Sequence, residues 1–183
     1  MQSYKFQFQF AHVPPIMTRG RHALVAAVRD DNKILLGEKK LYPPGIVRFP
    51  GGGIDAQESA LQGAAREIQE ELGVTVHTQE LSHLADFTAE ISSATAAYTF
   101  HTSLFTFDLK ARAVQASDDL DGVVFYDVHE LRELAKRYTQ LSTDLIDLQN
   151  GQGPFRWSDY GKLYGKIHGI AADLLEKRLF PAQ

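Results

Sequence analysis

Hydrophobic and polar residues alternate near the start of the chain. Tyr4, Phe6, Phe8 and Phe10 share one side of residues 4–10, and Lys5, Gln7 and Gln9 the other. That period predicts a strand with one buried face. Pro14-Pro15 ends it. Residues 22–28 and 33–36 read as two strands joined by a turn at Asp30-Asp31-Asn32, residue types that suit a hairpin. A loop with Pro43-Pro44 follows over residues 41–45.

From residue 60 the apolar spacing changes to that of a helix. Ala60, Leu61, Ala64, Ala65, Ile68 and Leu72 form one stripe. Ser59 and Gln62 stand at the spacing of a capping box, and Gly73 is the stop expected after a helix end. Strand patterns return at residues 74–76, 81–88, 98–110 and 122–127. Helical patterns follow at 128–140 and 159–178, separated by a flexible-looking connector, QNGQGP, at residues 149–154. Strands interleaved with helices predict an α/β protein with a mixed sheet covered by helices.

The 183 residues suffice for one well-filled core and are few for two. A single domain over 1–183 is expected, with a strand extension at about 1–19 and a helical extension at about 150–183. A net charge of −4 argues against a polybasic nucleic-acid surface or a membrane-binding patch. It also requires that any polyphosphate ligand be met by metal ions and local Lys or Arg groups. The chain has no cysteine, which removes disulfides, thiolate catalysis and thiolate metal sites. No apolar run is long enough to span a membrane, and MQSYKFQFQF lacks the pattern of a secretory signal. A cytoplasmic location is expected.

The candidate chemistry lies between Gly52 and Val74, GGIDAQESALQGAAREIQEELGV. Phe49-Pro50-Gly51-Gly52-Gly53 is a turn-former that can bring backbone groups close to a phosphate or a metal. Glu67, Glu70 and Glu71 lie at i, i+3 and i+4, so one helix face carries three carboxylates. They repel one another unless a cation sits among them, and Mg²⁺ prefers oxygen ligands of this kind. Arg66 stands four residues before Glu70 and eight after Glu58, where it can hold a carboxylate by a charge-assisted fork. The bland alternative is a solvated acidic helix face with ordinary i,i+4 pairs.

The spacing Gly52, five residues, Glu58, seven residues, then Arg66-Glu67-Ile68-Gln69-Glu70-Glu71-Leu72-Gly73-Val74 resembles the Nudix box, G-x5-E-x7-R-E-U-x-E-E-x-G-U with U aliphatic, and departs from it nowhere. The resemblance implies the Nudix fold, an α/β/α sandwich around a mixed sheet, over roughly residues 20–142. It implies hydrolysis of a nucleoside diphosphate linked to another group, with Mg²⁺ or Mn²⁺ as cofactor. It assigns Glu58 and Arg66 to an orienting pair, and Glu67, Glu70 and Glu71 to metal binding, with Gly52 or its neighbours as a backbone ligand. It leaves the general base open among Glu67, Glu70 and a loop aspartate. Many relatives use a further carboxylate in the loop that here reads Ser117 to Gly122; Asp119 is the first choice and Asp121 the second. In several relatives an N-terminal strand takes part in homodimer contacts; an extra edge strand in the same subunit is the equal alternative.

Lys39, Lys40 and Arg48 flank the loop that leads into the box and could meet phosphates, as could the backbone of Gly51 and Gly53, although isolated basic residues are more often solvated surface. Tyr42, Phe87, Tyr98, Phe100, Trp157, Tyr160 and Tyr164 are candidate base-stacking groups. Trp157 and Tyr160 stand first, because they lie in a polar segment. The seven histidines show no paired ligand spacing, and His168 reads as surface or packing. The family signatures that sort substrates do not name one here. The Pro of ADP-ribose hydrolases is replaced by Ala89-Glu90-Ile91, the NADH-hydrolase array is missing, and the coenzyme A pattern is matched only in part. A prenyl-diphosphate isomerase on this fold needs a catalytic Cys, which the chain lacks. The alternative to a hydrolase is a non-catalytic nucleotide-binding module or sensor on the same fold, against which the intact glutamates count.

Overall fold

A computed structural model describes residues 2–117, 119–146 and 154–181. One six-stranded mixed sheet organises the chain. It is built from β1 (Gln2–Gln9), β2 (Arg21–Val28), β3 (Ile34–Glu38), β4 (Ser82–Ser92), β5 (Ala97–Asp108) and β6 (Gly122–Tyr126), in the order β1-β4-β5-β2-β3-β6. The pairs β1–β4 and β2–β5 are parallel, and the others antiparallel.

Helix α1 (Ala60–Leu72) covers one face; α2 (Val128–Thr139) and α3 (Trp157–Leu179) cover the other. Strand β2 shows why. It is buried on both sides from Ala23 to Val28, with Ala23, Val25 and Ala27 toward α1 and Leu24, Ala26 and Val28 toward the opposite core. A strand covered on both faces reads as a continuous apolar run. This is the α/β class and layering that the box resemblance implied.

The N-terminal strand is an edge strand of this same sheet. It lies parallel to β4 with Tyr4 stacked on Phe87, ring centroids 5.5 Å apart. The 30–32 turn holds, with Asn32 at φ 61°. Helix α1 begins at a full Ser59–Gln62 capping box and ends at Gly73, φ 65°. Helix α2 starts the same way, from Asp127 and Glu130.

Three elements differ from expectation. Residues 74–76 form no strand; Val74 and Val76 are buried as core side chains of an irregular segment. Strand β4 runs on to Ser92, because Ala89 and Ile91 remain buried between β1 and β5. Helix α3 starts two residues early, at Trp157. Pro154 is described, but the rest of the 149–154 connector lies outside the described residues. Among the described residues no helix is long and apolar enough to cross a membrane.

Candidate active site

The loop before α1 is laid along the sheet by backbone hydrogen bonds. Gly37 and Arg48 exchange a pair, at 2.7 and 3.1 Å. The amides of Val25 and Ala23 then donate to the carbonyls of Pro50 and Gly52, at 2.9 and 3.0 Å, and Ile54 donates to Arg21 at 3.1 Å. The glycine loop is therefore held against β2, with α1 immediately after it. Behind the loop, the Tyr138 hydroxyl of α2 donates to the Val47 carbonyl at 2.9 Å.

Arg66 is the hub of the carboxylate face. Its Nε and Nη2 donate to Glu58 Oε1 and Oε2 at 2.8 and 3.0 Å. Nη1 donates to Glu67 Oε1 at 2.9 Å and Glu70 Oε2 at 2.8 Å, and Nη2 also reaches the Gly53 carbonyl at 2.8 Å. One planar guanidinium thus positions three carboxylates and the glycine loop. The hydrogen bonds from Arg66 lower the Glu58 carboxyl to about 2. Glu67 is raised, because burial outweighs Arg66.

Glu71 lies deeper. It accepts from the Gly51 amide at 2.7 Å and has the Lys39 ammonium 3.5 Å away. Burial raises it to about 7, against the opposing charges of Arg48 and Lys39. Lys39 also pairs with Asp119; for Asp119 burial acts upward, but the Lys39 hydrogen bond and charge prevail and lower it. Asp119 is brought here because its loop closes the C-terminal end of α1. Gln115, Ser117 N and Ser117 Oγ donate to the carbonyls of Leu72, Glu71 and Glu70, three groups a helix end leaves open. Asp121 is fixed by the Lys40 amide at 2.6 Å and the Lys40 ammonium at 2.9 Å.

These groups face a cavity of about 480 Å³. Glu67, Glu70, Glu71, Asp119 and Asp121 line it, with Lys39, Arg48 and the three glycines.

The donor set suits a hard divalent cation, since every candidate is an oxygen. Gly52 supports the fit: a Cβ there would meet both Glu67 carboxylate oxygens at 2.5 Å, so the missing side chain leaves Glu67 its place. Among the described residues the carboxylates do not close into a cluster of three around one point. Arg66 Nη1 instead sits between Glu67 and Glu70. The loop carbonyls are already engaged, Gly51 by Arg48 at 2.8 Å, Gly52 by Ala23 and Gly53 by Arg66.

A sequence model of the NUDIX domain matches residues 18–148. The chain belongs to the Nudix hydrolase family. Among curated proteins it is similar to an ADP-ribose pyrophosphatase of Methanocaldococcus jannaschii, 28% identical over 132 residues, 70% of this chain and 75% of that one. Two solved structures share the fold. One is a C. elegans Ap4A hydrolase binary complex, at TM-score 0.51 and 17% identity over 85% of this chain and 97% of that one. The other is the E. coli dihydroneopterin triphosphate pyrophosphohydrolase, at TM-score 0.51 and 20% identity over 66% and 87%.

The candidate carboxylates Glu67, Glu70, Glu71 and Asp119, the loop glycines, Lys39 and Arg48 all line the cavity. Glu58 and Arg66 stand behind the lining, as supports. Arg48 corrects the surface reading of the flanking basic residues, since it is only 4% exposed. Its charge is tolerated because Nη2 holds the Gly51 carbonyl and its guanidinium carbon lies 5.6 Å from the Tyr164 ring centre. His168 is a packing residue. It is stacked on Phe49 at 4.6 Å, bonded to the Tyr164 carbonyl and lowered by burial to about 3. Of the aromatic candidates, Tyr42, Trp157 and Tyr160 line the cavity, whereas Phe87, Phe100 and Tyr164 are core. Phe155, Arg19 and the Pro14–Ile16 stretch line it unforeseen. The aromatic spacing Phe155, Trp157, Tyr160 carried a signal for the first; Pro14-Pro15 read only as a strand breaker.

Proposed function

We propose that this Nudix hydrolase is a Mg²⁺-dependent pyrophosphohydrolase that cleaves the diphosphate of a nucleoside diphosphate linked to another group. The observation that carries the reading is the Arg66 hub, which aims Glu67 and Glu70 into a cavity large enough for such a molecule. Glu67, Glu70 and Glu71 would hold the divalent ion, which when bound supplies Lewis acidity at a phosphoryl oxygen and neutralises diphosphate charge.

The chain's own residues do the rest. Lys39 and Arg48 offset the carboxylate charge, and Lys39 offers donors to phosphate oxygens. Arg66, anchored by Glu58, keeps Glu67 and Glu70 in register, as supporting partners do at metal sites. A water attacks one phosphorus in line and gives its proton to a carboxylate, while the bond from that phosphorus to the bridging oxygen breaks and the bridging oxygen leaves on the other phosphate. Asp119 is already paired with Lys39, which leaves Glu67 and Glu70, both lining the cavity, as the candidates for that step.

ADP-ribose is the first compound to test, given the name of the archaeal relative. The panel should also include nucleoside triphosphates, nucleotide sugars, dinucleoside polyphosphates, NADH and coenzyme A, with Mg²⁺ or Mn²⁺ present. Turnover of one dominant compound is the expected outcome. Silence across the panel, with ligand-induced thermal shifts retained, would favour a sensor.

A further inference from the structure

The carboxylate cluster fills only part of the cavity. A second cluster of rings lines it, and most of those rings come from outside the matched region of 18–148. Trp157 meets Phe155, Tyr160 and Tyr42 edge-on, at centroid distances of 4.9, 5.3 and 6.0 Å. Pro14, Pro15 and Ile16 add apolar surface from the other flank of that region. The two flanks are tied together, since the Ala11 amide donates to Asp159 of α3 at 3.2 Å and Asp159 is buried. The apolar lining is thus built by the segments around the Nudix domain, together with Tyr42 of the loop before the box.

Arg48 joins the two clusters. One side of its guanidinium holds the glycine loop, and the other faces the Tyr164 ring, which stacks on Tyr160 at 4.3 Å. Arg48 Nε and the Tyr160 hydroxyl are buried and make no well-aligned hydrogen bond among the described residues, although the Tyr160 hydroxyl lies beside Arg48 and Tyr42, and both side chains line the cavity. Buried donors without partners are costly. A ligand atom that accepts from them would remove that cost.

We propose that this aromatic end of the cavity is the subsite for the base of the substrate: a planar heterocycle packed against Tyr42 and Trp157, whose acceptor edge is met by Arg48 and the Tyr160 hydroxyl. The proposal rests on the hydrolase reading for the placement of the diphosphate, and it adds that the base, rather than the diphosphate alone, is recognised. An arginine has only donors to offer, so the ring bound there presents acceptors. Aromatic stacking tolerates any base, and the polar pair supplies the choice among them.

Trp157 is the only tryptophan of the chain, so its fluorescence reports on this subsite alone. The protein in chelator is titrated with AMP, GMP, UMP and ribose 5-phosphate, and Tyr42→Leu and Tyr160→Phe are titrated alongside, with circular dichroism to verify folding. At least one nucleotide should perturb Trp157 saturably, with ribose 5-phosphate at least about tenfold weaker. Tyr42→Leu should weaken that nucleotide by about fivefold or more, and Tyr160→Phe should narrow the difference among the three bases. Ribose 5-phosphate equal to every nucleotide, or unchanged binding in both folded variants, overturns the proposal. Loss of all hydrolysis with the nucleotide response intact overturns the hydrolase reading instead. Hydrolysis indifferent to the base, with no nucleotide response, overturns the subsite and leaves the hydrolase standing.

Discussion

Arg66 meets Glu58 through two parallel hydrogen bonds, Nε to Oε1 at 2.8 Å and Nη2 to Oε2 at 3.0 Å. That fork leaves Nη1 free for Glu67 and Glu70. A lysine has one nitrogen and cannot make both connections. Arg66→Lys is therefore expected to fold, as judged by circular dichroism, and to lose about 10- to 100-fold in kcat/KM, the usual cost of losing a positioning partner at a metal site. Activity within about twofold of the parent would show that the hub does not position the carboxylates.

Two of the three glycines in the loop before α1 should fail differently. At Gly51 a Cβ would overlap the Ala23 carbonyl oxygen, and φ is 134°. Gly51→Ala should cost about 2 kcal/mol or more of stability in denaturant unfolding. At Gly52 the added carbon meets only the movable Glu67 carboxylate, at 2.5 Å. Gly52→Ala should keep most of its stability and lose at least about tenfold in turnover. The reverse ranking would contradict the close packing of Glu67 beneath Gly52.

The site was more legible in the sequence than the sheet around it, and the reason is range. The capping box of Ser59 and Gln62, the Gly73 stop and the Arg66–Glu70 spacing act within a few residues, so local pattern determines them. The parallel neighbours β1–β4 and β2–β5 are chosen by packing across the whole chain, and no local period encodes them. Val74 and Val76 alternate like a strand because both are buried, yet among the described residues no strand pairs with them. Arg48 is buried because Gly51, three residues on, and Tyr164, far along the chain, both receive it; only the first is near enough in sequence to suggest the contact. Most of the cavity's aromatic lining was visible, in Tyr42, Trp157 and Tyr160, whereas Phe155 and the closure by Pro14–Ile16 required the fold.

Glu71 makes the metal-free protein sensitive to pH. Burial raises its folded-state value to about 7 from an unfolded 4.5. Between those values the folded state holds the extra proton, so stability falls as pH rises through that window and the loss is complete above about 7. In chelator, Glu71→Gln should be more stable than the parent near pH 8, by on the order of 2 kcal/mol. The gap should shrink as pH falls toward 4.5. Thermal unfolding across this range checks it, and a gap that is constant with pH would place the Glu71 carboxyl in water.

The central claim is that the carboxylates of α1 serve hydrolysis through a divalent ion, and Glu70 tests it most directly. Glu70 is half-exposed and, among the described residues, its side chain bonds only to Arg66, so Glu70→Gln should leave stability within about 0.5 kcal/mol. The measurement is product release from ADP-ribose and the rest of the panel, with Mg²⁺ and with chelator, for the parent and this variant. The account predicts that chelation abolishes turnover of the best substrate and that Glu70→Gln lowers it by about 100-fold or more. Full turnover in chelator, or full turnover by the variant, would contradict it.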